Sequence, residues 1–180
     1  MLPLAIGLAL IGCAKTEPVP SSRQSVAVAQ TEPGRHSEPD GGFSYVVPNG
    51  WTTRKIAGLT DYQILFGPPG ETYVPNVNFQ RENDPRTLDD YVASNIQGLK
   101  DAGLDFEIAQ QPAPLKTDTQ LDGRRLIIDL NDGDQRIRQT FYFICHQPRM
   151  YVITASVLHE GCEEFDALFD TLAKSLRPEK

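Results

Sequence analysis

Beyond residue 42 most of the chain alternates apolar and polar positions with a period of two, and in two places the period becomes helical. Phe43-Ser44-Tyr45-Val46-Val47 reads as a strand that stops at the turn signal Pro48-Asn49-Gly50 and leads into Trp51. Residues Tyr62–Phe66 and Val77–Arg81 predict two more strands, separated by the breaker Gly67-Pro68-Pro69-Gly70. A helix follows, capped by Thr87 with Asp90 three residues on; Leu88, Tyr91, Val92, Ile96 and Leu99 share one face before Gly103 ends it.

The second half reads as a meander. Phe106–Gln110 predicts a strand, 112–121 a connection, and Asp122-Gly123 a turn into a strand at Arg124–Leu130. Asn131-Asp132-Gly133-Asp134 predicts a tight hairpin, because Asp-Gly supplies the backbone angles such turns need. The return strand spans Gln135–Cys145, and after Gln147-Pro148-Arg149 a last strand runs over Met150–Leu158. Phe141, Phe143 and Cys145 share one face of the first; Tyr151, Ile153, Ala155 and Val157 share one face of the second. Both sets are expected to face the core. In the final helix Phe165, Leu168, Phe169, Leu172 and Leu176 recur at helical spacing, Lys174 and Arg177 lie near the negative dipole end, and Pro178 follows. Strands, helix, strands, helix in that order imply an antiparallel sheet with helices packed on it, an α/β (α+β) arrangement.

The N-terminus follows a different pattern. Met1–Gly12 is an uncharged apolar run, shorter than the roughly 20 residues needed to span a bilayer core and suited to a signal-peptide h-region. It ends in Leu10-Ile11-Gly12-Cys13, which reads as a lipobox, although no Lys or Arg precedes the run. Cys13 is thereby the expected lipidation site, and palmitate-type chains on it would hold the protein to a membrane, each buried CH₂ contributing about 0.8 kcal/mol. From Ala14 to Gly41 the chain carries Pro18, Pro20, Pro33 and Pro39 and almost no large apolar side chain, so burial cannot offset its ordering entropy. The expected organisation is therefore a signal peptide over 1–12, the lipidated Cys13 with a flexible tether over 13–41, and one domain over 42–180. A lesser alternative makes Ser25–Gln30 an edge strand.

Net charge narrows the partners. A formal charge of −7 argues against nucleic acid, which demands a basic stripe to displace counterions, and equally against direct binding to anionic lipid headgroups. The expected partners are a membrane, through the anchor at Cys13, and an unidentified envelope protein. The expected location is a bacterial cell envelope, lipid-anchored and facing the periplasm.

Candidate chemistry is sparse. With Cys13 committed to lipid, Cys145 and Cys162 remain, and two thiols in an oxidising envelope usually pair. Their positions on the predicted meander, at opposite ends of a strand some 25 Å long, oppose a bond that needs Cα atoms about 4.4–6.8 Å apart. The disulfide stays open at this point. His159-Glu160-Gly161-Cys162-Glu163-Glu164 places imidazole, thiol and carboxylates within six residues, making His159 and Cys162 weak metal candidates. A plainer reading is a solvated loop whose acidic residues favour the start of the last helix. Asp129, Asp132 and Asp134 do not fit an EF-hand loop, since in a loop begun at Asp129 the sixth position, where glycine is required, is Asp134. Ser156 lacks a nucleophile elbow, His36, His146 and His159 lack evident triad partners, and no glycine-rich nucleotide motif occurs. Trp51 reads as a core anchor rather than a ligand-stacking residue. No catalytic residue and no cofactor are assigned, and the protein is expected not to be an enzyme.

Three segments together resemble the PsbP-like fold as found in DcrB-like bacterial lipoproteins. They are Phe43-Ser44-Tyr45-Val46-Val47-Pro48-Asn49-Gly50-Trp51, the helix start Thr87-Leu88-Asp89-Asp90-Tyr91, and the ending Phe165 through Ser175-Leu176-Arg177. The resemblance implies an α/β/α sandwich with a central antiparallel sheet, in a family of mostly non-enzymatic accessory proteins. The expected function is a membrane-anchored interaction or accessory module of the envelope; the alternative is a periplasmic domain that binds a small ligand or a metal.

Overall fold

The computed structural model describes residues 34–56, 60–70 and 72–179. Among these, in chain order, are strands β1 (Arg35–Glu38), β2 (Phe43–Val46), β3 (Thr52–Arg54), β4 (Ile64–Phe66) and β5 (Asn76–Asn83), then helix α1 (Leu88–Asp101). Strands β6 (Phe106–Lys116), β7 (Asp122–Asp132), β8 (Gln135–His146) and β9 (Arg149–Leu158) follow, then helix α2 (Glu163–Lys174) and the short β10 (Arg177–Pro178). A seven-stranded sheet has the order β3-β4-β5-β9-β8-β7-β6, and a three-stranded sheet the order β1-β2-β10. Every pairing is antiparallel.

The large sheet is buried on both faces, which separates the two residue sets expected to share one core. Tyr142, Ile144, Tyr151, Ile153, Ala155 and Val157 pack with Phe169 and Leu172 of α2 and with Phe43 and Tyr45 of the small sheet. Leu126, Ile128, Phe141, Phe143, Met150 and Val152 pack on the other side with Tyr91, Val92 and Leu99 of α1. Because β7, β8 and β9 are long and neighbouring, alternate residues of each feed different cores.

Helix α1 starts where its cap dictates. The Asp90 N–H donates to Thr87 Oγ1 at 3.2 Å, and the Thr87 hydroxyl donates to Asp90 Oδ2 at 2.7 Å. The helix ends at Ala102 and turns at Gly103, whose φ of +69° a side chain would resist. Thr87→Ala is expected to cost about 1 kcal/mol, seen as a lower thermal midpoint with faster amide exchange confined to the first turn of α1.

Three expectations are corrected. Residues 35–38, assigned to the tether, form β1: they pair with β2, Arg35 donates to the Ser175 carbonyl at 3.1 Å, and Glu38 accepts from the Gln63 N–H at 3.0 Å. Main-chain pairing and buried charged hydrogen bonds order a segment that has little apolar surface to offer. The rest of the tether expectation, with Cys13, the signal peptide and Ser25–Gln30, lies outside the described residues.

The connection expected from 112 begins only after Lys116, because β6 continues through Pro112 and Pro114. It is the sheet's edge and its register shifts twice, at Ile108/Gln110 and Gln110/Ala113, conditions under which a strand tolerates proline. Gly123 lies inside β7 rather than in a turn, and a Cβ there would meet the Phe143 carbonyl oxygen at 2.9 Å. The turn itself is 117–121, closed by Thr117 Oγ1, which accepts from the Leu121 N–H at 3.0 Å.

Candidate functional site

The hairpin at Gly133-Asp134 sets the geometry of the most polar interior region. With Asp132 opposite Gln135, the register places Asp129 opposite Arg138 and Asn131 opposite Arg136. The apolar residues Leu126 and Ile128 pack against α1, so Asp129, one position on, is turned toward the α2 side, where it is only 4% exposed.

Three cations or potential cations surround that carboxylate. Arg138 Nε reaches Oδ1 at 2.8 Å and its Nη2 reaches Oδ2 at 3.1 Å, a two-pronged contact. Arg136 Nη2 lies 3.3 Å from Oδ2 and 3.0 Å from Glu107 Oε2 of β6. His159 Nδ1 lies 3.2 Å from Oδ1 and 3.5 Å from Arg138 Nη2, so it donates to the carboxylate or accepts from the guanidinium according to its tautomer. The His159 main chain is tied down too, its N–H donating to the Arg136 carbonyl at 2.8 Å. Burial by itself would raise the Asp129 pKa, but hydrogen bonds from Arg138 and His159 outweigh it and hold the carboxyl below its ordinary range.

A second group of charges continues along α2. Arg125 reaches Asp166 Oδ1 at 3.1 Å and Asp170 Oδ1 at 3.0 Å, one helical turn apart, and donates to Gln110 Oε1 at 3.0 Å. The Tyr142 hydroxyl donates to Asp170 at 2.8 Å; burial and that carboxylate push its pKa far above the usual phenol value. The network thus fastens β6, β7, β8, the 159–162 turn and α2 to one another by fixed charges.

The residues singled out from the sequence do not converge on a metal or a nucleophile. His159 and Cys162 share a turn, with the Cys162 N–H donating to the His159 carbonyl at 3.3 Å. Their side chains part: the imidazole engages Asp129, whereas Cys162 is 1% exposed in the core beneath α2. Burial pushes that thiol's pKa up, with Arg138 opposing, so the neutral form predominates at neutral pH. Among the described residues no three His, Cys, Asp or Glu side chains are gathered as metal ligands.

Cys145 packs on the opposite, α1 face, and both thiols are free. His36 lies in β1, 3.1 Å from Glu38 Oε1 and against the Tyr45 ring, while His146 is exposed at the end of β8. The Ser156 hydroxyl accepts from Gln139 Nε2 at 3.3 Å. Asp132 and Asp134 flank the hairpin glycine, apart from the Asp129 contacts. Trp51 is 8% exposed, meets Phe169 edge-on at 6.0 Å, and lies where a Cβ on Gly67 would come within 2.9 Å of its ring. It anchors α2 to the loop before β3.

No protein-family model matches the chain, and no curated protein does. Solved structures do match. The cyanobacterial PsbP protein (CyanoP) of Synechocystis sp. PCC 6803 is 17% identical, with a TM-score of 0.62 over 88% of this chain and 98% of that one. LpqN of Mycobacterium tuberculosis, described as involved in cell envelope biogenesis, is 12% identical, with a TM-score of 0.58 over 85% and 89% of the two chains. The Pseudomonas aeruginosa protein PA94, of unknown function and a putative regulator, is 12% identical, with a TM-score of 0.56 over 73% and 99%. The narrower likeness to DcrB-like lipoproteins gains nothing from these structures. At such identities the similarity carries the fold alone, and the fold of this chain is PsbP-like.

Proposed function

We propose that this protein is a lipid-anchored envelope component whose domain serves as a non-enzymatic accessory or interaction module. One observation carries the reading: a PsbP-like domain, similar to LpqN of cell envelope biogenesis, follows a lipobox ending in Cys13. Acyl chains on Cys13 would fix the protein to the membrane, and the residues between Cys13 and β1 would let the domain reach a neighbour. Among the described residues no helix is long and apolar enough to cross a membrane, so attachment in this reading rests on the anchor.

Fixed ion pairs along α2 suit a rigid docking body, since they hold side chains in place without a reactive group among them. The metal-binding alternative draws no support from His159 and Cys162, whose ring and thiol are engaged elsewhere. The test is affinity purification of the wild-type protein from detergent-solubilised envelopes after brief cross-linking. A partner recovered in stoichiometric amount, and lost when the domain is replaced behind the same anchor, is the expected result. Equal recovery of the same proteins with the replaced domain would count against an interaction module.

A further inference from the structure

The α2-side face of the large sheet carries two arginines that the ionic seam does not use. Arg81 of β5 stands opposite Tyr151, and Arg149 of β9 stands opposite Asn83, so the two occupy the same face of adjacent strands, two positions apart in register. Each spends one nitrogen on the main chain. Arg81 Nη1 donates to the Gly41 carbonyl at 2.8 Å, and Arg149 Nη1 donates to the Glu179 carbonyl at 3.3 Å.

Both guanidiniums converge on Gly42. This residue has a φ of +60°, and a Cβ built on it would lie 3.5 Å from Arg149 Nη1 and 3.6 Å from Arg81 Nη1. A longer side chain would extend between the two cations; glycine leaves that space open. The turn is held from both sides, by the Gly42 N–H donating to the Glu38 carbonyl at 2.8 Å and the Glu179 N–H donating to the Gly42 carbonyl at 2.7 Å.

Charge compensation is missing where it would be easiest to supply. The chain has 24 acidic and 17 basic residues, yet among the described residues neither Arg81 nor Arg149 is ion-paired with a carboxylate. Nearby carboxylates are directed elsewhere: Glu38 accepts from the Gln63 N–H at 3.0 Å and lies 3.1 Å from His36, and Glu179 Oε2 accepts from Ser37 at 2.6 Å. Next to Arg81 across the strands, the Tyr151 hydroxyl is buried without a hydrogen-bond partner, on a residue 1% exposed. Two half-buried like charges that share one turn and lack a carboxylate between them favour an anion that joins them.

We propose that the Gly41–Gly42 notch is an oxyanion site in which Arg81 and Arg149 together bind a phosphate group, either free or carried by a lipid headgroup. Guanidinium suits this ligand because its planar N–H fork matches phosphate oxygens two at a time, and each arginine retains donors beyond the one given to the main chain. Exposed charges farther than about 10 Å from the notch are largely screened at ordinary ionic strength, so the chain's overall negative charge opposes the site little.

The test uses the full chain carrying Cys13→Ala, so that acyl chains cannot confer membrane binding. Inorganic phosphate is titrated against chloride at matched ionic strength while the amide resonances of Gly41, Gly42 and Glu179 are followed. Saturable shifts are expected, with apparent affinity falling roughly tenfold or more in Arg149→Gln and in Arg81→Lys, and unchanged in Arg124→Gln, whose side chain pairs with Asp89 on the other face. Arg81→Lys keeps the charge and decides the matter if Arg149→Gln fails to fold. A second arm measures retention on phosphatidylglycerol vesicles. Retention that depends on Arg149 identifies a lipid headgroup as the source; saturable phosphate binding without retention identifies a free phosphate. Absence of both, or binding unchanged in both arginine variants, overturns the proposal.

Discussion

Asp129→Asn is expected to destabilise the domain by about 3 kcal/mol at neutral pH, the cost typical of removing one partner from a buried ion network. Asp129 is 4% exposed and accepts from Arg138 through two prongs, with Arg136 and His159 beside it. An asparagine keeps the shape but loses the charge, and its amide N–H groups would confront donors of Arg138 and Arg136. The substitution therefore leaves the largely buried Arg138 without its carboxylate, while Arg136 keeps Glu107, and so does more than remove a contact.

The pH dependence has a definite sign. The folded-state pKa of Asp129 is lowered, so the stabilisation is present in full above the unfolded carboxyl value of about 3.9 and is lost as the pH falls through the lower folded value. Urea unfolding of wild type and Asp129→Asn should differ most above about pH 5 and converge in acid below about pH 4. An equally large gap at both ends would mean that packing, not charge, fixes this residue.

Phe43→Ala should cost about 4 kcal/mol, in the range for emptying a buried aromatic site. Phe43 is fully buried and its ring lies within 5.1–6.1 Å of Tyr62, Phe79, Tyr151 and Tyr45. Those partners come from β2, the loop before β4, β5 and β9, so one ring joins the small sheet to the large one. Room for collapse is small, because the turn above is already tight: a Cβ on Gly41 would meet the Phe43 ring at 2.3 Å. Denaturant midpoints should show the full loss, and amide exchange should quicken first in β1 and β2. Val74→Ala, at a position 37% exposed, should stay within about 0.5 kcal/mol of wild type.

Elements governed by nearby residues were the most legible in the sequence. The Thr87 cap, the helical spacing of Phe169 and Leu172, and the Gly133 hairpin all act over a few positions, and each appears where the pattern predicts it. The hairpin even makes the Asp129–Arg138 pair readable, since its two-residue loop fixes which residues stand opposite. A charged residue inside Leu126-Ile127-Ile128-Asp129-Leu130, answered by Arg136 and Arg138 on the return strand, is the signal that could have found the ionic seam.

Elements that depend on distant parts of the chain were not legible. Strand β1 is ordered by β2 and by the Ser175 carbonyl, and β10 exists only as a partner of β2. Nothing local distinguishes Arg35–Glu38 from the proline-rich polar stretch before it. The convergence of Arg81 and Arg149 likewise depends on the β5–β9 register, which no short motif encodes. Apolar alternation in β8 and β9 identified faces correctly but not that the two sets face opposite cores, because alternation alone does not say which face of a neighbouring strand it meets.

The proposed phosphate site lies at the turn after β1, and the proposed anchor, Cys13, precedes the described residues. The anchor is the more decisive of the two. Growth with labelled palmitate followed by envelope fractionation, comparing wild type with Cys13→Ala, tests it directly. The account predicts label on the wild-type protein in the membrane fraction, and an unlabelled Cys13→Ala protein released to the soluble fraction. Wild-type protein that is unlabelled and soluble, or a Cys13→Ala protein labelled and retained like wild type, would contradict it.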